Sequence, residues 1–239
     1  MVNYRFNPMH MTHSNSKLEL INQLALTTPP YKNDALALAK RLIPRIQETI
    51  VSKTNENDGN KCIATYSAIV WTLNSYSFIG SFKNEQSAGN IVQNHCRSTS
   101  GVIPMWGQCG EFLLNVKGTQ CIVKYTPSIV GSVEVNQVFT HFEFFATKQN
   151  QPFISETGYR SHFDKIHFGL TVDQAASSIF SNHLKEKKRP TLPKSVRQDI
   201  PSWWNSCLIP DGYELVEAIL PKYKAFIAKK WAKEAAKYL

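Results

Sequence analysis

Closely spaced cysteines are missing from this chain of 239 residues. Five cysteines are present, but no two of them form a CxxC pair, and their number is odd. Zinc fingers and compact disulfide frameworks need closer or paired cysteines. The sequence therefore argues against both classes, and we expect reduced thiols in a cytoplasmic protein.

Long apolar runs are also missing. The first 20 residues contain no apolar segment of the kind found in signal peptides, so we expect no secretory signal. No charge falls between Lys61 and Lys83, but seven Ser, Thr and Asn residues interrupt this stretch. A spanning helix needs about 20 predominantly apolar residues. We therefore expect no membrane span.

Acidic residues are scarce relative to basic ones, and the formal net charge is +9. Residues 1–159 contain 13 basic and 10 acidic side chains, whereas residues 160–239 contain 14 and 8. A basic protein attracts acidic partners through long-range electrostatics. The excess in the C-terminal third predicts binding to nucleic acid or to an acidic partner protein.

The chain contains patterns of both helix and strand. A helix is expected from about Asp34 to Lys53, followed by a surface loop over Thr54 to Lys61. Glu111 to Val116 and Gln120 to Tyr125 are typical of a hairpin that turns at Lys117-Gly118. We predict an α+β fold, with an antiparallel sheet of four or more strands, helices packed on one side and a basic C-terminal helix.

Composition divides the chain into three parts. Residues 1–184 are expected to form the α+β domain, with a loose N-terminal arm over residues 1–16. Residues 185–197 are basic and flanked by prolines, which is typical of a linker. Residues 198–239 are expected to form a helical segment packed on the main domain. The sequence leaves the oligomeric state open.

The densest run of aromatic and ionisable residues extends from Val138 to Phe168. Side chains alternate along its first ten residues, which places Phe139, His141 and Phe145 on one face of a strand. These rings are a candidate platform for stacking unpaired bases. The alternative is that a helix covers this face, since aromatic strands are usually core. A polar loop and a return strand from Pro152 are expected next.

Three further candidates follow the Thr157-Gly158 turn, namely Tyr159, Arg160 and His162. We predict that they cluster just beyond the return strand, with Arg160 at least partly exposed. Its guanidinium is suited to phosphate or carboxylate recognition. The competing interpretation is an internal ion pair with Glu143 or Asp164.

A nucleophilic site is an alternative. Gly107-Gln108-Cys109-Gly110-Glu111, followed by an aromatic residue, resembles the nucleophile segment of transglutaminase-like and peptide-N-glycanase folds. The resemblance implies a cysteine hydrolase or transferase with Cys109 as nucleophile, His141 as base and Glu156 as orienting acid. That family has a long helix after its cysteine, whereas a strand is expected here. The simpler interpretation is a structural cysteine.

The same part of the chain contains potential metal ligands. Imidazole and carboxylate side chains that could bind zinc, iron or manganese occur at His141, Glu156, His162, Asp164 and His167. Their spacing matches no HExxH or comparable motif. We therefore predict packed, hydrogen-bonded histidines, with no metal and no cofactor.

One segment carries a resemblance to a class of binding proteins. Ser155 to Phe163, with the sequence SETGYRSHF, resembles segments of accessory proteins of conjugative plasmids, among them fertility-inhibition factors. The resemblance implies a plasmid-encoded inhibitor or accessory protein that acts on the DNA-transfer machinery. Separately, Gly169 to Ala176 resembles the opening helix of some helix-turn-helix domains, but no recognition helix follows it.

Basic clusters in the C-terminal part complete the candidate binding residues. The clusters comprise Lys187, Lys188 and Arg189 in the linker and Lys229, Lys230, Lys233 and Lys237 in the last helix. A lysine face on a packed helix can contact an acidic partner. The sequence as a whole predicts a non-enzymatic accessory protein that binds nucleic acid or a nucleic-acid-handling protein, with the cysteine enzyme as the alternative.

Overall fold

The structure, a computed structural model, describes the backbone of residues 9–186 and 191–197, with side chains from Ser16 onward. The predicted C-terminal helix and the central part of the predicted linker lie outside the described residues. The helices are α1 (Met9–Leu26), α2 (Lys32–Ser52), α3 (Glu56–Leu73), α4 (Ala88–Cys96) and α5 (Val172–Glu186). The strands are β1 (Gly110–Val116), β2 (Thr119–Ser128), β3 (Phe139–Ala146) and β4 (Tyr159–Lys165).

Helix α2 is amphipathic, as its apolar spacing predicts. Leu42, Ile46 and Ile50 are buried, and together they form one stripe because residues four apart lie on the same face of a helix. The helix begins at Lys32, two residues before the predicted start. The expected helix is therefore confirmed, with a difference at its first turn.

The predicted surface loop from Thr54 to Lys61 is wrong beyond its first residues, because α3 already begins at Glu56. Packing against the rest of the protein overrides the polar composition of this segment. A Cβ atom on Gly59 would lie 2.5 Å from Thr49 Cγ2, so only glycine permits this close approach of α3 to α2. Asn60 Oδ1 also accepts a hydrogen bond from the Val135 N–H at 2.8 Å.

The four strands form one antiparallel sheet in the order β1-β2-β3-β4. The first hairpin turns at Lys117 and Gly118, which have φ values of 53° and 82°. Positive φ at both central residues is the requirement of a type I′ turn, which matches the twist of the flanking strands. The α+β fold with a four-stranded antiparallel sheet is confirmed, and so is the predicted position of this turn.

Strand β3 has one buried face and one open face. Along β3 the even-numbered residues, including Phe142 and Phe144, are buried, whereas the odd-numbered ones are partly or fully exposed. This alternation is the one predicted for Val138 to Ala146. Thr147 differs from the prediction, because it follows the strand and is buried, with its hydroxyl donating to the Gln120 carbonyl at 3.0 Å.

The predicted return strand from Pro152 is wrong. The strand that pairs with β3 is β4, and Phe153 forms only an isolated bridge with Thr191. Gly158 immediately precedes β4 with φ of 71°, and a Cβ atom there would lie 1.9 Å from the Ser195 carbonyl oxygen. The backbone can reverse at this point only because glycine is present.

Backbone contacts divide the described residues into two compact units. Unit 1 contains the residues up to Phe112, Val123–Glu143 and Ser161–Ile179, and unit 2 contains Leu113–Ile122, Phe144–Arg160 and the residues from Phe180. Each of the four strands therefore contributes residues to both units. This division does not follow the predicted domain boundaries, which remain a prediction.

Unit 1 is built around Trp106, which is fully buried. The ring of Trp106 packs edge-on against Tyr125, with 5.7 Å between centroids, and Tyr125 packs against Phe142 at 5.0 Å. The Trp106 backbone N–H donates to Gln47 Oε1 at 2.8 Å, and its indole N–H donates to the Leu170 carbonyl at 2.7 Å. One residue thus links α2, the sheet and the segment before α5.

Unit 2 has its own aromatic core. Phe180 of α5 lies 5.6 Å from Phe144 and 5.5 Å from Phe153, measured between ring centroids. At the start of α5 the Thr171 N–H donates to Gln174 Oε1 at 3.0 Å, which is one half of a capping box. None of the described helices combines the length and apolar character needed to cross a membrane.

Candidate functional site

The open face of the sheet in unit 1 presents exposed aromatic rings. Phe139 of β3 is 55% exposed and Phe163 of β4 is 70% exposed. A helix over this face, the alternative considered from the sequence, would have buried both rings. Large apolar side chains left in water on one sheet face are typical of a binding surface.

His141 and Phe163 form a stacked pair on this face. Their rings are parallel to within 4°, with centroids 4.1 Å apart. His141 Nε2 is also 2.8 Å from Ser161 Oγ, and this hydrogen bond fixes the imidazole. Burial lowers the pKa of His141, which favours the neutral imidazole. The pair is therefore a rigid, uncharged aromatic surface.

A groove of about 410 Å³ begins at these rings and is open to solvent. The lining residues, which we call the sheet groove, are Phe82, Gln93, Thr126, Pro127, Ser128, Phe139, Thr140, His141 and Phe163. None of these side chains carries a formal charge at pH 7. The sheet groove thus combines aromatic walls with hydroxyl and amide groups.

Helix α4 contributes Gln93 to the sheet groove and packs against the segment that contains Phe82. The N–H of Gly89 donates to the Ser81 carbonyl at 2.8 Å, and a Cβ atom on Gly89 would lie 2.7 Å from the Phe82 ring. Glycine therefore allows the segment before α4 to close tightly onto the helix. Phe82 and Gln93, which is one helical turn beyond Gly89 on α4, both line the sheet groove.

Exposed lysines lie close in sequence, or on the same strand face, to residues of the uncharged lining. Lys83 and Lys165 are exposed and lie within two residues of Phe82 and Phe163. Lys124 is exposed on the open face, and its ammonium group lies 3.7 Å from the Glu143 carboxylate. That pair offsets the negative charge of Glu143 on this part of the sheet.

Phe145, the third predicted platform residue, belongs to unit 2. Its ring lies 5.1 Å from the Tyr159 ring, and the guanidinium of Arg197 lies 5.2 Å from its centroid. Arg160 is exposed, and both Tyr159 and Arg160 lie in β4 rather than beyond a strand. The predicted binding role of these residues remains a prediction.

His162 and His167 both contact Asp164. The distances from their Nε2 atoms to Asp164 Oδ2 are 3.4 Å and 2.9 Å. Burial raises the pKa of Asp164, but hydrogen bonds from the Lys165 N–H and the two imidazoles outweigh it, so the net pKa is lowered. Within residues 16–186 and 191–197, no group of three or more His, Cys, Asp or Glu side chains could hold a metal ion.

Cys109 is unsuited to the nucleophilic role that its motif suggests. The side chain is only 1% exposed, and burial raises the pKa of its thiol to about 11. A nucleophilic cysteine needs a lowered pKa and access to solvent. Glu156, the candidate orienting acid, is exposed and lies 3.4 Å from Lys194 Nζ. The structural cysteine, the simpler interpretation, fits this environment.

The basic clusters predicted as binding residues, at Lys187, Lys188, Arg189, Lys229, Lys230, Lys233 and Lys237, lie outside the described residues. Within the described residues, exposed cations also occur on α2. Lys40 and Arg41 are exposed, whereas Arg45 pairs with Asp58 of α3. Sequence reasoning did not single out α2, although its polar face already showed Lys40 and Arg41 side by side.

Comparison with protein families gives two adjacent matches. Residues 20–95 match a family model described as the KlcB N-terminal DNA-binding domain. Residues 109–195 match a model described as the KlcB third domain. The first match covers α2, α3 and nearly all of α4, and the second covers the whole sheet and α5. No solved structure gives a significant match.

Two curated relatives share the name Protein KlcB, both from Escherichia coli. One is 37% identical over 188 residues, covering 72% of this chain and 46% of the relative. The other is 33% identical over 240 residues, covering 90% of this chain and 50% of the relative. The chain therefore spans about half the length of the curated relatives it matches. These matches show homology to KlcB, a more specific assignment than the resemblance to fertility-inhibition factors.

Proposed function

We propose that this homologue of KlcB is a DNA-binding accessory protein without catalytic activity. The match of residues 20–95 to a KlcB N-terminal DNA-binding domain is the observation that carries the proposal. The matched segment folds into packed helices, an architecture that many proteins use to place cationic side chains along a DNA backbone. Double-stranded DNA is the partner we assign to this segment.

Exposed cations on α2 support this assignment. Lys40 and Arg41 are adjacent and exposed, so both can reach phosphate oxygens. Arg45 is one turn further along the helix but already pairs with Asp58, which leaves it less available. Phosphate contacts from lysine and arginine supply most of the affinity in sequence-independent binding.

The environment of Cys109 argues against the alternative function, a cysteine hydrolase or transferase. A thiol with a pKa of about 11 is almost entirely protonated near neutral pH and is a poor nucleophile. Catalysis by Cys109 would require the buried side chain to become exposed. A non-enzymatic role does not require this change.

Two finer assignments belong to the same proposal. The homology to KlcB and the predicted resemblance to plasmid accessory proteins support a role in a mobile genetic element. Within that role, the DNA-transfer machinery of conjugation is the process on which we propose that the protein acts, as an inhibitor or accessory factor. An acidic protein of that machinery is the second partner class, supported by the net charge of +9.

Binding of duplex DNA by the full chain tests the proposal, with fluorescence anisotropy measured over a series of salt concentrations. The double variant Lys40→Gln/Arg41→Gln should bind more weakly at low salt. Its log–log slope of affinity against salt should be smaller by up to about 0.9 for each phosphate that the variant no longer neutralises. Glu48→Gln changes an exposed side chain of the same helix and serves as the control.

The control variant should bind duplex DNA at least as tightly as the unmodified chain, because it removes a negative charge. Unchanged affinity and slope in the double variant would remove α2 from the DNA-binding surface. An unmodified chain that fails to bind duplex DNA at low salt would contradict the proposed function itself.

A further inference from the structure

We propose that the sheet groove of unit 1 binds unpaired bases of single-stranded DNA, by stacking them on Phe139 and Phe163. This proposal rests on the proposed function, because it assumes that the protein acts on DNA. It adds a second, separate surface to the one on α2. The two surfaces would recognise different states of DNA.

The exposure of the rings is the first argument. Phe82, Phe139 and Phe163 all line the sheet groove and are 46%, 55% and 70% exposed. Aromatic side chains exposed on an open sheet face stack bases in several modules that bind single strands. A duplex cannot use such a surface, because its bases are already stacked on one another.

Preorganisation is the second argument. Phe163 is held in place from one side by the parallel His141 ring at 4.1 Å, and His141 is itself hydrogen-bonded to Ser161. The exposed area of Phe163 remains available to a ligand. A ring already fixed in its orientation loses little conformational entropy when a base stacks on it.

The polar groups of the sheet groove provide the third argument. The amide of Gln93 and the hydroxyls of Thr126 and Ser128 line the wall beside the aromatic rings. These groups donate and accept hydrogen bonds, so they can pair with the edge of a base. The Watson–Crick edges of bases are free for such contacts only when the nucleic acid is single-stranded.

The lysines near the sheet groove favour nucleic acid over an uncharged ligand as its occupant. The lining carries no formal charge, and Lys83, Lys124 and Lys165 are exposed around it. Glu143 is paired with Lys124, and Asp164 contacts His162 and His167. Cations around an uncharged aromatic surface suit a polyanion with flat bases.

The size of the site agrees with this occupant. A groove of about 410 Å³ falls in the range of sites that hold single small ligands. It can therefore accommodate individual splayed bases but not a double helix.

Binding of three labelled DNAs by the full chain tests the proposal. The probes are an oligo(dT) of about 15 nucleotides, chosen from the usual site sizes, an abasic strand of the same length, and a duplex. Oligo(dT) and the abasic strand carry the same backbone charge, so a preference for oligo(dT) reports contacts with bases. The unmodified chain should bind oligo(dT) at least tenfold more tightly than the abasic strand, the scale of one base–aromatic stack.

The double variant Phe139→Leu/Phe163→Leu keeps apolar side chains but removes both aromatic planes. Its affinity for oligo(dT) should fall by about tenfold or more, with no change for the abasic strand or the duplex. Phe168→Leu, at a partly exposed ring outside the sheet groove, is the matched control and should bind oligo(dT) normally. Phe163→Tyr keeps an aromatic plane and should also bind normally.

Several outcomes would overturn the proposal. Equal affinity for oligo(dT) and the abasic strand would show that bases are not contacted. Unchanged binding of oligo(dT) by the leucine variant would show that Phe139 and Phe163 do not stack the bases. A chain that binds duplex but not oligo(dT) would contradict this inference alone, whereas a chain that binds neither DNA would contradict the proposed function as well.

Discussion

At the scale of single residues, Trp106 connects three segments of unit 1, namely α2, the sheet and the segment before α5. Its ring is fully buried against Tyr125, and its two N–H groups donate to Gln47 and Leu170. Replacing a large buried ring removes packing interactions and leaves a cavity. Nothing nearby in a close-packed core can fill such a space without distortion.

We predict that Trp106→Ala lowers the free energy of unfolding by about 3–5 kcal/mol. Trp106→Phe should lower the free energy of unfolding by less, because it keeps an aromatic ring. The remaining loss comes from the smaller ring and from the missing hydrogen bond to the Leu170 carbonyl. Urea unfolding followed by circular dichroism measures both variants. A loss below about 1 kcal/mol for the alanine variant would contradict the central position of this residue.

Cys109 provides a chemical prediction at the same scale. With a pKa of about 11, about one thiol in a thousand is ionised at pH 8, and that thiol is buried. Iodoacetamide should therefore leave Cys109 unmodified in the folded chain and modify it in urea, as measured by peptide mass spectrometry. Rapid modification of folded Cys109 at pH 8 would reopen the cysteine-enzyme alternative.

At the scale of elements, the first hairpin has a turn that only a few residues tolerate. Gly118 has φ of 82°, and a Cβ atom there would meet nothing within 4 Å, so any cost of substitution is conformational. Gly118→Val should destabilise the protein by about 1–2 kcal/mol, because a β-branched residue is strained at positive φ. Lys117→Asn should have the opposite effect or none, because Asn adopts positive φ readily and the Asn-Gly sequence favours a type I′ turn.

Thermal denaturation of both variants measures this effect. The melting temperature should fall for Gly118→Val and should stay the same or rise for Lys117→Asn. Equal melting temperatures for the two variants would show that the turn conformation contributes nothing to stability.

Structural elements that depend only on neighbouring residues could be predicted from the sequence. The Lys117-Gly118 turn and the alternation along β3 depend on neighbouring residues, and the structure confirms both. The start of α3 and the position of β4 depend on distant contacts. Gly59 packs against Thr49, and Gly158 packs against Ser195, and neither contact can be read from local spacing.

The candidate site, too, could be predicted only where it depends on neighbouring residues. The alternation predicted correctly that Phe139 and His141 share a face of one strand. Phe163 was not predicted as their partner, because the return strand was placed too early in the chain. Phe82 and Gln93 were missed because they come from a segment far from the sheet in sequence.

At the scale of the whole molecule, net charge pointed to the C-terminal third. Residues 20–95, which match the DNA-binding model, contain seven basic and five acidic residues, so their composition alone gives little signal. The proposed DNA contact depends on exposed charge on one surface, for which Lys40 and Arg41 of α2 are the candidates. Composition cannot show which charges are already paired, as Arg45 is.

The C-terminal lysines provide a separate prediction from the sequence. Residues 221–239 contain six lysines and one acidic residue. If they contribute to DNA binding, replacing Lys229, Lys230, Lys233 and Lys237 by Gln should lower the salt slope by up to about 0.9 for each phosphate that these lysines neutralise. Unchanged affinity and slope would limit the contribution of the basic C-terminal part to roles other than binding DNA.

The salt dependence of duplex binding by the unmodified chain tests the central claim most directly. Affinity for a labelled duplex should fall linearly on a log–log scale between about 50 and 200 mM salt, because each bound phosphate releases counterions. Measurable binding at low salt with this dependence would support a DNA-binding homologue of KlcB. Absence of duplex binding at the lowest salt concentration would contradict it.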